Sequence, residues 1–197
     1  MNRLLLFFIA SSFILSQNLI KEVKEGYDDG KVKVVEYYKK VGDSKKLVKV
    51  ISYYKNGQIE YEENYRNGKL NGNYTKYYEN GITHVKGKYM NGNDSYVAEK
   101  SGISKNGRYG KWTFFFENGQ ISEQWNYIKG KVNGRYISYF QNGQIRKQGT
   151  FKDGKQDGKW IQYNENGQIK DKANYKDMKS VDELWSSAIE FRENGDL

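Results

Sequence analysis

Asn-Gly pairs recur through the chain at 56-57, 80-81, 118-119, 142-143, 166-167 and 194-195, with spacings of 24, 38, 24, 24 and 28 residues. Asp29-Gly30 stands 27 residues before the first of them. A fixed period of this length marks a repeat architecture in which each period is one supersecondary unit. Further registers repeat with it. Eight residues after each unit-opening glycine comes an aromatic: Tyr38, Tyr65, Tyr89, Tyr127, Phe151 and Tyr175. A glycine follows at Gly68, Gly92, Gly130 and Gly154, and another at Gly72, Gly110, Gly134 and Gly158. The second glycine lies two residues before Tyr74, Trp112, Tyr136 and Trp160. Four residues before the next opening glycine stands Tyr53, Tyr77, Phe115, Tyr139, Tyr163 or Phe191.

These slots dictate a hairpin. In the unit from Asn142, Gln144 to Phe151 forms one strand, Asp153-Gly154 turns it, and Lys159 to Asn164 returns. Gly57, Gly81, Gly119, Gly143 and Gly167 then turn each unit into the next. Asn-Gly and Asp-Gly in tight hairpins imply type I′ turns with positive φ at both central residues. A lone hairpin is marginal in water, so neighbours must cover one another. The expectation is an all-β, elongated, single-layer antiparallel meander of tandem hairpins. Its units are 29–55, 56–79, 80–117, 118–141, 142–165 and 166–193, preceded by an N-terminal segment, 19–28.

Composition agrees. The chain is only 37% apolar, yet it holds eighteen Tyr, nine Phe and four Trp, with no Pro and no Cys. Aromatics favour strands, and disordered chains are poor in them. Without Cys there are no disulfides and no thiolate metal sites. The net charge of +9 pulls mildly toward acidic partners, but acidic and basic residues alternate along the chain, as in Lys21-Glu22-Val23-Lys24-Glu25, which reads as a solvated face.

Met1-Asn2-Arg3, the apolar run Leu4 to Leu15 and the small or polar Ser16, Gln17 and Asn18 follow the order of a secretory signal peptide, 1–18. The run is short of the roughly 20 residues of a spanning helix. Cleavage after Ser16 and after Ser12 both fit. Export to the periplasm, cell surface or exterior is expected.

Alternation along the strands places Thr75 and Tyr77, Thr113 and Phe115, Ile137 and Tyr139, and Ile161 and Tyr163 on one face, read as packed. The other face takes Tyr74, Lys76 and Tyr78; Trp112, Phe114 and Phe116; Tyr136, Ser138 and Phe140; then Trp160. It is read as partly buried by its neighbours and partly open for binding, an assignment that a bulge would reverse locally. With Trp125, its aromatics Tyr74, Tyr78, Trp112, Phe114, Phe116, Tyr136, Phe140 and Trp160 are the candidate partner contacts.

The run Asn142-Gly143-Gln144-Ile145 … Phe151-Lys152-Asp153-Gly154-Lys155 … Asp157-Gly158-Lys159-Trp160-Ile161-Gln162-Tyr163 resembles the bacterial variant of the MORN repeat, over about residues 29 to 197. The resemblance implies twisted antiparallel sheets, protein–protein contacts and, in some members, lipid-surface binding. Some bacterial relatives carry an antitoxin label, which fits badly with export. Two places depart from the pattern. The third unit has about 14 extra residues around Asn93 to Asn106, either a binding hairpin or a tolerated loop. The last unit has Met178 for Gly and Ala188 for an aromatic, as a capping repeat would.

Nothing points to catalysis. His84 is the only histidine, so a His-based triad or metal site is not expected. Glu62 and Glu63 point to opposite faces of a strand. The Gly-Lys-x-x-Gly runs lie at hairpin turns, whereas a phosphate loop needs a strand-to-helix junction. No enzyme activity, cofactor, metal or nucleic-acid partner is expected. The expected function is an adaptor binding another envelope or surface protein; binding to anionic lipid or an envelope polymer, or to a neutralised partner in the antitoxin manner, is the alternative.

Overall fold

The computed structural model describes residues 19–92 and 106–175. The signal-peptide segment, residues 93–105 of the insertion, and Met178 and Ala188 lie outside the described residues. The strands are β1 (Leu19–Gly26), β2 (Val32–Val41), β3 (Ser44–Tyr53), β4 (Ile59–Arg66), β5 (Lys69–Tyr77), β6 (Thr83–Gly92) and β7 (Arg108–Phe115). They continue as β8 (Ile121–Ile128), β9 (Lys131–Val132), β10 (Gly134–Tyr139), β11 (Ile145–Lys152), β12 (Lys155–Tyr163) and β13 (Ile169–Tyr175). All thirteen form one open antiparallel sheet in chain order, with the short β9 pairing β8 just before β10. The segment 19–28 thus supplies the edge strand β1. Among the described residues there is no helix.

Two kinds of turn alternate, and only one of them has the expected geometry. At Tyr54-Lys55-Asn56-Gly57 the Gly57 N–H donates to the Tyr54 carbonyl at 2.9 Å, and the Tyr54 N–H donates to the Gln58 carbonyl at 2.8 Å. Only Gly57 has positive φ, 86°. Asn56 works through its side chain, whose Oδ1 accepts the Gln58 N–H at 2.9 Å. Asn80, Asn118, Asn142 and Asn166 do the same for the residue two further on. The Asn-Gly pairs that open units are therefore not type I′ turns; the asparagine is a local acceptor. The pairs with positive φ at both positions sit at the other end of the hairpins: Asn67-Gly68 (52° and 71°), Lys129-Gly130 (50° and 81°) and Asp153-Gly154 (51° and 88°).

Each unit-opening turn is followed by a β-bulge, which stands opposite Ser52/Tyr53, Tyr77, Phe115, Tyr139 and Tyr163 of the preceding strands in the registers. A bulge sets two consecutive residues on one side. Ser122 and Glu123 are both buried as a result, and Ile121 turns to the opposite face beside Phe115.

Cross-strand partners share a face, so the registers define the two faces. On the inner face Tyr74 opposes Gly87, Trp112 opposes Trp125, Tyr136 opposes Gly149 and Trp160 opposes Ala173. Leu70, Tyr74, Val85, Tyr89, Trp112 and Trp125 join Tyr127, Val132, Tyr136, Phe151 and Trp160 in one buried cluster. This corrects the face assignment. The face expected to stay partly open is the core, and the face expected to pack carries the half-buried Tyr77, Phe115, Tyr139 and Tyr163. The physical reason is interlocking: in a single layer, rings are covered only by rings of neighbouring repeats, and Gly87 and Gly149 leave room for that.

The insertion springs from a backbone contact. A Cβ on Gly107 would stand 2.2 Å from the Gly92 Cα, and the Met90 N–H donates to the Gly107 carbonyl at 2.8 Å. Gly92 itself is absent from the positive-φ glycines, so it serves close approach rather than turn geometry.

Candidate binding surface

The expected contact residues lie on the inner face, and the structure seals most of them. Trp112 is 0% exposed, Trp160 2%, Tyr74 3%, Trp125 4%, Tyr136 7% and Phe114 9%. They are not available to a partner. Tyr74 stacks on Trp112 with centroids 5.7 Å apart, and Tyr89 meets the same indole edge-on at 5.0 Å. Trp125 lies 4.3 Å from Tyr136, and Phe151 meets Trp160 edge-on at 4.9 Å. The indole N–H groups of Trp112 and Trp160 donate to the carbonyls of Lys88 and Thr150, each at 3.2 Å. That of Trp125 donates to the Glu123 carboxylate at 2.8 Å. Burial pushes the phenols of Tyr74, Tyr89 and Tyr136 well above the ordinary tyrosine range, and that of Tyr61 to about 12.

Leu70, Arg108, Val132 and Gln156 occupy one equivalent inner slot, two residues before the second glycine, and all four are buried. Arg108 enters it by lying over rings: its guanidinium is 4.5 Å from the Trp112 centroid and 5.2 Å from that of Tyr127. Its Nη1 also donates to the Tyr127 hydroxyl at 3.0 Å.

The remaining expected contacts, Tyr78, Phe116 and Phe140, begin the unit-opening turns and are half-buried. Their slot ties repeats together. The hydroxyl of Tyr27 donates to the Tyr53 carbonyl at 2.8 Å, that of Tyr54 to Tyr77 at 2.7 Å and that of Tyr78 to Phe115 at 2.7 Å. His84 packs beside the Tyr78 ring at 4.4 Å. Among the described residues, no three His, Cys, Asp or Glu side chains cluster as a metal site.

The opposite, outer face carries what the linear sequence hid. From β6 to β13 it has three rows across the strands. The first pairs Phe115 with Ile121, Tyr139 with Ile145 and Tyr163 with Ile169. The middle row runs through Thr113, Gln124, Ile137, Gln148 and Ile161. The third contains Lys111, Asn126, Arg135, Thr150, Lys159 and Asn174. The first and middle rows contain no Asp or Glu, and the third row holds one carboxylate, Asp157, the cross-strand partner of Thr150. Lys86, Lys88, Lys111, Arg135, Lys159 and Lys172 on this face are all exposed, and none pairs with a carboxylate among the described residues. The rows are connected laterally: Arg135 Nη2 donates to Gln148 Oε1 at 3.3 Å, and Gln148 Nε2 donates to the Tyr163 hydroxyl at 2.7 Å. Lys86 lies 5.2 Å over the Phe115 ring. The signal for these cations was present in the repeat itself, as the residue between the second glycine and the aromatic in Gly110-Lys111-Trp112, Gly134-Arg135-Tyr136 and Gly158-Lys159-Trp160.

Comparison with known proteins places the repeat. The family model described as the MORN repeat variant matches residues 47–67, 108–129, 132–153 and 156–177. Three of these matches begin at the buried slot residues Arg108, Val132 and Gln156, so the family unit runs from the core slot through the unit-opening turn. The chain matches no curated protein sequence. Among solved structures, a protein of unknown function from Bacteroides fragilis is similar at 12% identity over 80% of this chain and 93% of its own, with a TM-score of 0.17. A repeated family match and an open antiparallel meander, whose glycine and aromatic slots recur in each hairpin, make this chain a MORN-repeat protein of the variant type.

Proposed function

We propose that this MORN-repeat protein is an exported, non-catalytic scaffold that binds another envelope or surface protein on the outer face of its sheet. MORN repeats commonly mediate binding, and the inner face is consumed by its own core. The observation that carries the reading is the sorting of the outer face, with aromatic and Ile pairs along one row and exposed cations, which outnumber the single carboxylate Asp157, along another. Tyr and Arg are favoured interface anchors. A photo-crosslinking side chain at Lys111 or Tyr139, placed in the full chain in the cells that make it, tests this. A discrete protein adduct from these positions and not from the turn position Lys55 is the expected result; adducts from Lys55 alone would reject it.

A second reading is contact with an anionic lipid or envelope polymer. The exposed cations favour it, since each basic residue near an anionic surface contributes about 1 kcal/mol. Salt-sensitive sedimentation with anionic vesicles is its test, and absence of co-sedimentation at low salt would remove it.

A further inference from the structure

We infer that the outer face across β7–β12 is a seat for an amphipathic acidic α-helix of the partner protein. The inference rests on the outer-face scaffold reading above and names the chemistry of its partner. The first and third rows are four residues apart along a strand, as Tyr163 and Lys159 are, which is about 13 Å at the rise of a β-strand. An α-helix with its side chains is roughly 10–12 Å across. A helix lying along the middle row therefore touches both flanking rows at once. Thr113 and Ile137 in that row are already covered, at 7% and 8% exposed, so the half-buried Gln124, Gln148 and Ile161 and the two flanking rows make the contacts.

The step between repeats fits as well. One repeat contributes two strands, so equivalent outer-face residues recur about every 9.5 Å. At 1.5 Å per residue this is roughly six to seven helical residues, about one and three-quarter turns. A helix crossing the strands with apolar residues at i, i+3, i+4 and i+7 has at least one side chain of that stripe at each of Phe115/Ile121, Tyr139/Ile145 and Tyr163/Ile169 in succession. Its apolar stripe would cover the aromatic and Ile pairs, and its flank toward Lys111, Arg135 and Lys159 must be acidic. A polyanion with no apolar groups would leave the first row uncovered, which favours an amphipathic protein segment over a purely charged polymer.

The test uses the full chain and a fluorescently labelled helical peptide with Leu along one stripe and Glu along the flanks. A scrambled peptide of the same composition, poly-L-glutamate and phosphatidylglycerol vesicles serve as comparators. Anisotropy should show salt-sensitive binding of the patterned peptide, with the scrambled peptide and poly-L-glutamate at least about tenfold weaker. The triple variant Lys111→Glu/Arg135→Glu/Lys159→Glu should weaken patterned-peptide binding by about tenfold or more, because opposed charges are lost and like charges created. Tyr139→Ser/Tyr163→Ser should weaken it severalfold. Reversal of two turn lysines, Lys55 and Lys129, should change it less than about twofold. Circular dichroism of each variant separates lost binding from lost fold. The inference is overturned if the patterned peptide does not bind, if the comparators bind as tightly, if vesicles alone bind, or if the outer-face variants bind like the parent. A protein adduct at Lys111 alongside any of those results would sink the acidic helix and leave the scaffold reading standing.

Discussion

The indole of Trp112 lies flat on the backbone of Gly87, so close that a Cβ built on Gly87 would stand 2.3 Å from the ring. Trp160 lies on Gly149 in the same way, with the corresponding distance 2.2 Å. Each glycine is also the cross-strand partner of a tyrosine on its other side, Tyr74 for Gly87 and Tyr136 for Gly149. The rings from the two flanking strands close over the missing side chain. In the intervening repeat Trp125 fills this position and meets Tyr136 directly. Ring size in one strand is thus matched to side-chain size in the neighbouring strand.

Gly149→Ala is expected to destabilise the sheet by about 2–3 kcal/mol, the upper range for an added methyl in a packed core. Trp160→Tyr in the same chain should recover part of that loss, because a smaller ring leaves space for the Cβ. Denaturant midpoints of the two single variants and the double variant check it; additive losses would contradict the ring-over-glycine account.

Trp112→Ala should act on stability and not on recognition. Removing a fully buried indole costs about 3–5 kcal/mol. Tryptophan fluorescence during denaturation would register a large drop in midpoint, whereas a fold unchanged by the substitution would contradict the burial of this ring.

Lys129 adopts a φ of 50° where the equivalent turns place Asn67 and Asp153. Asn tolerates this left-handed conformation better than Lys. Lys129→Asn is therefore expected to stabilise the protein by roughly 0.5–1 kcal/mol, read as a raised melting temperature.

The turn tyrosines give a reciprocal pair. Tyr78→Phe removes the hydrogen bond to the Phe115 carbonyl and should cost about 1 kcal/mol. Phe116→Tyr places a hydroxyl in the equivalent slot one repeat later and should raise stability by up to about 1 kcal/mol. Thermal melts of both variants test the pair, and shifts of the same sign would refute it.

Tyr61, with a phenol pushed up to about 12 by burial, sets an alkaline limit together with Tyr74, Tyr89 and Tyr136, also raised by burial. An unfolded tyrosine ionises near pH 10. Above that pH the unfolded chain loses protons that the folded chain retains, so folding stability is fully present below about pH 10 and declines as pH rises through the folded values. Tyrosinate absorbance at equilibrium should show early titration of the exposed phenols and then a cooperative step coincident with unfolding. A single smooth titration near pH 10 would contradict buried phenols.

Much of the fold was legible because its signals are local. The glycines that need positive φ, such as Gly57 and Gly154, and the aromatics at fixed offsets, such as Tyr139 and Phe151, mark turns and strands by spacing alone. Turn type was less legible. Asn56-Gly57 and Asn67-Gly68 are the same dipeptide, but a following bulge lets Asn56 keep negative φ while the two-residue loop forces Asn67 to 52°.

By itself the sequence determined the repeat, its hairpins and the existence of an aromatic core, since these follow from backbone preference and side-chain period. Only the tertiary structure decided which face is that core. Alternation separates Trp112 from Thr113 without saying which side closes, and the answer depends on the glycines that neighbouring repeats bring beneath each indole. The candidate surface was hidden for the same reason. Lys111, Arg135 and Lys159 are interspersed with acidic residues along the chain, and only strand pairing gathers them into one row in which Asp157 is the sole carboxylate.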